Sequence, residues 1–154
     1  MDMSAAPSAH DVHWLLPVNP AAHAEHQPDD WRTRADATAV WAAIGRSQPV
    51  ERWCLRSGYR MMRPGDVIWA YLAVRQEVCA VGRVRAVVDD GAAWFVDVAW
   101  DDRATRALCR APVPRSSFAQ VPMSTCRARP ATIQVLCRAL SDVLADVDAP
   151  GEAD

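Results

Sequence analysis

The stretch that decides the fold is residues 51–72, ERWCLRSGYRMMRPGDVIWAYL. From Val67 onward it is apolar at successive positions, as expected for a central β-strand that is buried on both faces. The Pro64–Gly65 pair just before it predicts a turn. Together with the preceding VERWCL, the stretch predicts two strands, over 50–55 and 67–74, that are joined by a turn rich in arginine.

Further strands are predicted on both sides of this stretch. HWLLPV, residues 13–18, is expected to form a first strand that ends at Asn19–Pro20. Residues 77–88, EVCAVGRVRAVV, alternate along their length, and DDG predicts a hairpin turn into a last strand over 93–100. Its larger side chains share one face, namely Trp94, Val96, Val98 and Trp100.

Two segments have helical spacing. Apolar residues recur at helical intervals over 31–44 and over 130–147, and Pro130 is well suited to the first turn of the second helix. Residues 103–129 contain three prolines and are predicted to be irregular. Strands that follow one another through tight turns favour an α+β fold with a mostly antiparallel, curved sheet of about five or six strands.

The composition predicts one globular domain. The chain has 154 residues, of which 51% are hydrophobic and 23% charged. We expect a flexible N-terminal tail over 1–11, the domain over 12–148 and an acidic tail over 149–154. The five cysteines form no C-x-x-C pair, and the sequence has neither a leader pattern nor an apolar run of membrane-spanning length. These features predict reduced thiols and a cytoplasmic location.

The charge is unevenly distributed. The net charge is −2, but residues 1–31 and 141–154 each carry five acids and no base. Residues 32–140 therefore hold all 17 basic residues against nine acids, a net charge of +8, and every base is an arginine. Genomic base composition explains the absence of lysine most simply, but a basic body also favours a polyanionic partner such as nucleic acid.

Three motifs in order resemble the EVE domain, a PUA-like domain related to the YTH and ASCH domains. They are HWLLPVNP at 13–20, RWCLRSGYRMMRPGDVIWAYL at 52–72 and the glycine-centred CAVGRVRAV at 79–87. The resemblance implies a PUA-like open barrel or pseudo-barrel with flanking helices. It also implies an aromatic pocket for a flipped, modified nucleobase, without cofactor or metal.

The resemblance, together with the residue chemistry, gives a set of candidate site residues. Aromatic faces would hold the base, polar groups would read its edge, and arginines would contact the flanking phosphates. The predicted base-binding residues are Trp14, Asn19, Trp53, Ser57, Tyr59 and Trp69. The predicted phosphate-binding residues are Arg52, Arg56, Arg60, Arg83 and Arg85.

Each of these residues also has a structural interpretation. A tryptophan on a strand fills the core as often as it lines a pocket, and Asn19 before Pro20 is typical of a turn. The arginines are equally consistent with a solvated surface. Trp94 and Trp100, which alternate with valines, are predicted to be core residues.

The leading functional hypothesis is a non-enzymatic reader of modified cytosine in DNA, with a possible nuclease partner on a separate chain. The alternatives are a YTH-like reader of modified RNA, an enzyme acting on a nucleoside or small amide, and a protein-interaction module that uses its tryptophan-rich face. No nucleotide-binding or nucleophile motif supports the enzyme. The H-x-x-H pairs at His10 and His23 lie in loop-like sequence and are poor candidates for zinc ligands.

Overall fold

The computed structural model describes residues 5–18, 53–55, 60–73, 75–89, 91 and 93–148, with residues 53–55 described by their main chain. Seven strands lie in these ranges: β1 (His13–Val18), β2 (Trp53–Leu55), β3 (Val67–Leu72), β4 (Glu77–Asp89), β5 (Trp94–Trp100), β6 (Val113–Pro114) and β7 (Cys126–Arg127). Two α-helices accompany them, α1 (Asp102–Arg110) and α2 (Pro130–Asp148). The predicted helix over 31–44 lies outside the described residues.

The strands form one open sheet in the order β2-β5-β4-β3-β1-β7, with β6 paired to β4 beside this path. Every pairing is antiparallel except that of β1 with β3, which is parallel. The two ends of the path, β2 and β7, are not paired to each other. The predicted α+β class with a mostly antiparallel sheet is therefore confirmed.

The sheet has two apolar faces, because successive residues of a strand point to opposite sides. One face, which we call the helix face, includes Leu15, Val67, Trp69, Tyr71, Val78 and Val81. It packs against α1 and α2, which contribute Leu108, Leu136 and Leu140 to the same cluster. The other, which we call the Trp14 face, includes Trp14, Leu16, Ile68, Ala70, Leu72, Val84, Val96, Val98 and Trp100. All six residues of β3 are buried, as predicted for a central strand.

Two register shifts break the alternation predicted for β4. One falls at Cys79, where β4 pairs with β3, and the other at Arg85, where β4 pairs with β5. Because a bulge adds one unpaired residue, Val84 and Val87 both pack on the Trp14 face although they are three residues apart. The prediction that residues 77–88 alternate throughout is therefore wrong.

Gly82 lies where β4 and β5 approach closely. A Cβ built on Gly82 would meet the carbonyl oxygen of Ala99 and would lie 2.8 Å from the Cα of Trp100. Both atoms belong to the main chain of β5, so no side-chain rotation could relieve the contact. The central glycine of this strand is thus required by the spacing of the two backbones.

Helix α1 lies almost entirely in the segment that was predicted to be irregular, and that prediction is wrong for residues 103–110. The side chain of Asp101 caps the helix by accepting a hydrogen bond from the Ala104 N–H at 2.9 Å. Asp102 and Arg106 form an i,i+4 ion pair at 3.1 Å. The signal was present in the sequence as DDRATRAL, an aspartate cap before apolar residues at helical spacing, but the prolines further along concealed it.

Helix α1 covers a gap along β4. Between its pairings with β6 and β5, the backbone of β4 has no neighbouring strand on that side among the described residues, and side chains of α1 take the place of one. The Thr105 hydroxyl accepts from the Val81 N–H and donates to the Val81 carbonyl, each at 3.3 Å. The Cys109 thiol donates to the Cys79 carbonyl at 3.3 Å. The sheet edge is therefore satisfied by a helix.

The segment 5–11, part of the predicted flexible tail, lies against the sheet. Its carbonyl groups at Ala5 and Ala6 accept from the guanidinium of Arg83 on β4, and its carbonyl at Ser8 accepts from His13. These contacts hold a segment of small residues whose composition alone suggests a loose chain. In the described part of the chain, no helix has the length and apolarity needed to cross a membrane.

Candidate nucleic-acid interface

Trp14 anchors the turn that precedes β3. Its indole N–H donates to Asp66 Oδ2 at 2.9 Å, and the Arg63 main-chain N–H donates to the same oxygen at 2.9 Å. The Trp14 ring belongs to the core of the Trp14 face and is only 3% exposed. Trp14 therefore does not form an open wall of a base-binding pocket, because both its ring and its polar N–H are already used inside the protein.

The turn that Trp14 anchors carries two exposed arginines, Arg60 and Arg63. The Arg63 guanidinium donates to the carbonyl oxygens of Arg60 at 2.8 Å and of Met62 at 3.0 Å. These acceptors are neutral, so they orient the guanidinium without neutralising its charge. Arg60 was predicted to contact phosphate and lies on the surface, whereas Arg63 was not singled out from the sequence.

Arg127 is a further exposed arginine, and sequence reasoning missed it. In the β1–β7 pairing Arg127 lies directly opposite Trp14, so both residues point to the same side of the sheet. Arg127 is exposed, and within the described residues its guanidinium has no hydrogen-bond or ion-pair partner. No local pattern marked this residue, because the pairing of β1 with a two-residue strand is set only by the fold.

The main chain around Arg127 is held by Gln120. The Gln120 amide donates to the Arg127 carbonyl at 2.8 Å and accepts from the Arg129 N–H at 2.9 Å. Beside it lies a shallow hollow of about 390 Å³, which is lined in part by Gln120, Met123 and Arg129. The main chain at Arg127 is therefore fixed by the buried side chain of Gln120, and the exposed Met123 lines the neighbouring hollow.

Trp69 was predicted to contact a base, and the structure places it in the interior. Trp69 lies on the helix face with no exposed surface, opposite in orientation to Trp14. Its indole N–H donates to His13 Nδ1 at 2.9 Å, and the two rings lie edge to edge and nearly parallel, with centroids 6.1 Å apart. An indole nitrogen can only donate, so the pair is a closed internal contact.

Arg83 was predicted to contact phosphate, and the structure assigns it to the interior instead. Its guanidinium donates to the carbonyl oxygens of Ala5, Ala6 and Gly65 and lies 3.3 Å from the Asp11 carboxylate. Only 7% of Arg83 is exposed, because it lies opposite Val67 on the helix face. The predicted shared stripe of Arg83 and Arg85 is therefore broken by the bulge at Arg85.

Arg85 remains on the surface. It is exposed, and its guanidinium lies 3.5 Å from the Asp97 carboxylate of β5. Such an exposed pair is weak and can exchange partners readily. Arg85 therefore stays a candidate for a contact with phosphate.

The remaining candidates lie outside the residues whose side chains are described. For Trp53, the main chain pairs with Val96, a residue of the Trp14 face. The others are Asn19, Arg52, Arg56, Ser57 and Tyr59. Their predicted roles are untouched by the geometry of the described residues.

Burial affects three of the described thiols, and hydrogen bonds engage the imidazole of His13. Burial raises the pKa of the thiols of Cys79, Cys126 and Cys137, which favours their unreactive protonated form. Both ring nitrogens of His13 are engaged in hydrogen bonds. Among the described residues, no three histidine, cysteine or acidic side chains lie close enough to hold a metal ion.

Comparison with family models, with curated proteins and with solved structures found no match to this chain, so the resemblance to the EVE domain stays a prediction from its motifs.

Proposed function

We propose that this protein is a non-enzymatic nucleic-acid reader of the EVE type, with a PUA-like fold, that holds a modified nucleobase, most simply modified cytosine in DNA. The observation that carries the proposal is the position of Arg127 on the sheet. Arg127 is exposed, and within the described part of the chain its guanidinium has no hydrogen-bond or ion-pair partner. It pairs directly across from Trp14, and the Trp14 indole anchors the turn that carries Arg60 and Arg63.

In this proposal the roles of the candidate residues differ from those predicted from the sequence. Trp14, Trp69 and Arg83 have structural roles, and Trp14 supports the proposed interface by fixing the Asp66 turn. Arg60, Arg63 and Arg127 contact the phosphates on either side of the base. Base stacking and recognition of the base edge are assigned to Trp53, Tyr59, Asn19 and Ser57, on the strength of the motif resemblance.

Binding of matched oligonucleotides tests the proposal. Fluorescence anisotropy with labelled DNA and RNA of one sequence, with and without 5-methylcytosine or N6-methyladenine, should show tighter binding to one modified form. Competition between DNA and RNA at one salt concentration distinguishes the two kinds of reader. Equal and negligible binding to all these oligonucleotides would refute the proposal.

Two variants separate phosphate contact from base recognition. Arg127→Gln should weaken binding to modified and unmodified DNA alike and lower the salt dependence, with a slope smaller by about 0.9 on duplex or 0.7 on single strands. Arg138→Gln, at an exposed position on α2, is the matched control and should leave the slope unchanged. Trp53→Ala should remove the preference for the modified base, because stacking contributes about 1–3 kcal/mol per base.

A further inference from the structure

Two cysteines, Cys79 of β4 and Cys109 of α1, meet at the edge of the sheet. The Cys109 thiol donates to the Cys79 carbonyl at 3.3 Å, although the two residues are 30 positions apart in the sequence. The Cys79 side chain belongs to the Trp14 face, and Cys109 packs against the same cluster. Burial, and next the nearby Cys109 thiol, raise the pKa of the Cys79 thiol well above its ordinary value, so the two sulfurs lie within electrostatic range of each other.

The register between α1 and β4 brings these two cysteines together. The Thr105 hydroxyl binds both main-chain groups of Val81. One helical turn later Cys109 binds the carbonyl of Cys79, which lies two strand positions from Val81. Four helical residues span about 6.0 Å and two strand residues span about 6.6 Å, so the two spacings match. The contact of Thr105 with Val81 therefore fixes where Cys109 meets Cys79.

The two cysteines differ in their exposure and in the freedom of their main chain. Cys79 has no exposed surface, whereas Cys109 is only partly buried. Cys79 is also the unpaired residue of the bulge opposite Ala70 and Tyr71, so its main chain can shift without breaking a pair of the β3–β4 ladder. We therefore expect a small oxidant from solvent to meet Cys109 first, with Cys79 free to adjust towards it.

We infer that Cys79 and Cys109 form an oxidation site, at which a hydroperoxide converts the two thiols into a disulfide that joins β4 to α1. A disulfide needs its sulfurs about 2.05 Å apart and its Cα atoms about 4.4–6.8 Å apart. Rotation about the Cα–Cβ bond of Cys109 turns its sulfur from the Cys79 carbonyl towards the Cys79 side chain, because both side chains pack on the Trp14 face. The inference does not depend on the proposed function.

The oxidation takes place in two steps. The Cys109 sulfur attacks one peroxide oxygen, the O–O bond breaks, and the departing oxygen takes the Cys109 proton and leaves as water or an alcohol. This step leaves a sulfenic acid at Cys109. The Cys79 sulfur then attacks the Cys109 sulfur, the S–O bond breaks, and the departing hydroxide takes the Cys79 proton and leaves as water. The two thiols have then lost two electrons and two protons, and the hydroperoxide has gained them.

Peptide mapping of the full-length protein tests the site directly. The native protein is treated with hydrogen peroxide, the remaining thiols are blocked with N-ethylmaleimide in denaturant, and the chain is cut with trypsin, which cleaves after arginine. Cys79 is then released in residues 76–83 and Cys109 in residues 107–110. Mass spectrometry should show these two peptides joined, only after peroxide treatment, and dithiothreitol should separate them. Absence of the joined peptide, or Cys79 joined to a different cysteine, would overturn the inference.

Cysteine variants assign the two steps. Cys79→Ala should stop the reaction at the sulfenic acid, so that dimedone labels Cys109 more strongly than in the wild type. Cys109→Ser keeps a hydroxyl donor for the Cys79 carbonyl and should leave Cys79 reduced at the same peroxide dose. Cys137→Ala changes another partly buried helical thiol and should leave the disulfide unaffected. If Cys79 is oxidised as readily in Cys109→Ser as in the wild type, or if dimedone labels Cys109 equally with and without Cys79, the two thiols do not act as a pair.

Discussion

Replacement of Thr105 by valine tests the claim that α1 completes the edge of β4. Val81 is 1% exposed, and its N–H and carbonyl point away from β3 towards α1. Valine has nearly the shape of threonine but removes the hydroxyl, which leaves the Val81 N–H without its partner. The Val81 carbonyl still accepts from the Asp101 N–H at 2.9 Å, so only one buried group is orphaned.

The expected loss can be worked from that single group. A buried, unsatisfied N–H costs about 1–3 kcal/mol, and the 3.3 Å length of the lost bond favours the lower part of this range, about 1–2 kcal/mol. For a domain of this size, that loss lowers Tm by about 2–8 °C. Urea unfolding followed by circular dichroism measures the free energy directly, and the m-value should not change.

Thr132→Val is the matched control for this experiment. Thr132 is also a buried helical threonine, 2% exposed, but its hydroxyl makes no hydrogen bond within the described part of the chain. The same chemical change should therefore be neutral or slightly stabilising there. If the two variants differ by less than about 0.5 kcal/mol, Thr105 does not take the place of a strand at this edge.

Other predictions concern the spacing of the β4 and β5 backbones, the protonation of His13 and the contacts of residues 5–11 with Arg83. Gly82→Ala should destabilise the protein by about 1–3 kcal/mol in urea unfolding, because its Cβ meets the main chain of β5, and a neutral result would exclude the close approach. The free energy of unfolding should decline as the pH falls below about 6.5, by at most about 1.4 kcal/mol per pH unit, because the unfolded chain protonates His13 first. A flat profile from pH 7 to 5 would contradict the buried neutral imidazole. Arg83→Met should increase proteolysis within residues 5–11 in a limited digest, whereas Arg85→Met should not. Equal cleavage of the two variants would show that Arg83 does not hold residues 5–11 against the sheet.

The local sequence pattern was sufficient to predict secondary structure where residues close together in sequence decide it. The first strand was predicted over 13–18 and is observed as His13–Val18, and the fully apolar run from Val67 forms a strand buried on both faces. Gly65 and Gly91 stand at turns with φ of 91°, where glycine is favoured because it lacks a Cβ. Pro130 begins α2 as predicted. In each case the preference acts within a few residues.

The candidate site shows where such reasoning fails. Arg83 and Arg85 share a parity in the sequence, yet a bulge separates them, and the first is buried while the second is exposed. Trp14 and Trp69 both suited a pocket, but one fills the Trp14 face and the other is hydrogen-bonded to His13 on the helix face. Periodicity distinguishes the two faces of a strand but gives no information about which face is covered or which polar partner lies across it.

By itself, therefore, the sequence determined the long strands β1, β3, β4 and β5, the turns beside them and the strongly basic body, but not the short strands β6 and β7. Only the tertiary structure decided that Arg83 holds residues 5–11, that Thr105 stands in for a strand and that Arg127 lies opposite Trp14. The physical reason is distance along the chain. The partners of Trp69 and Arg83 are 56 and 78 residues away, and a contact over such a separation exists only after the sheet has brought the two segments together.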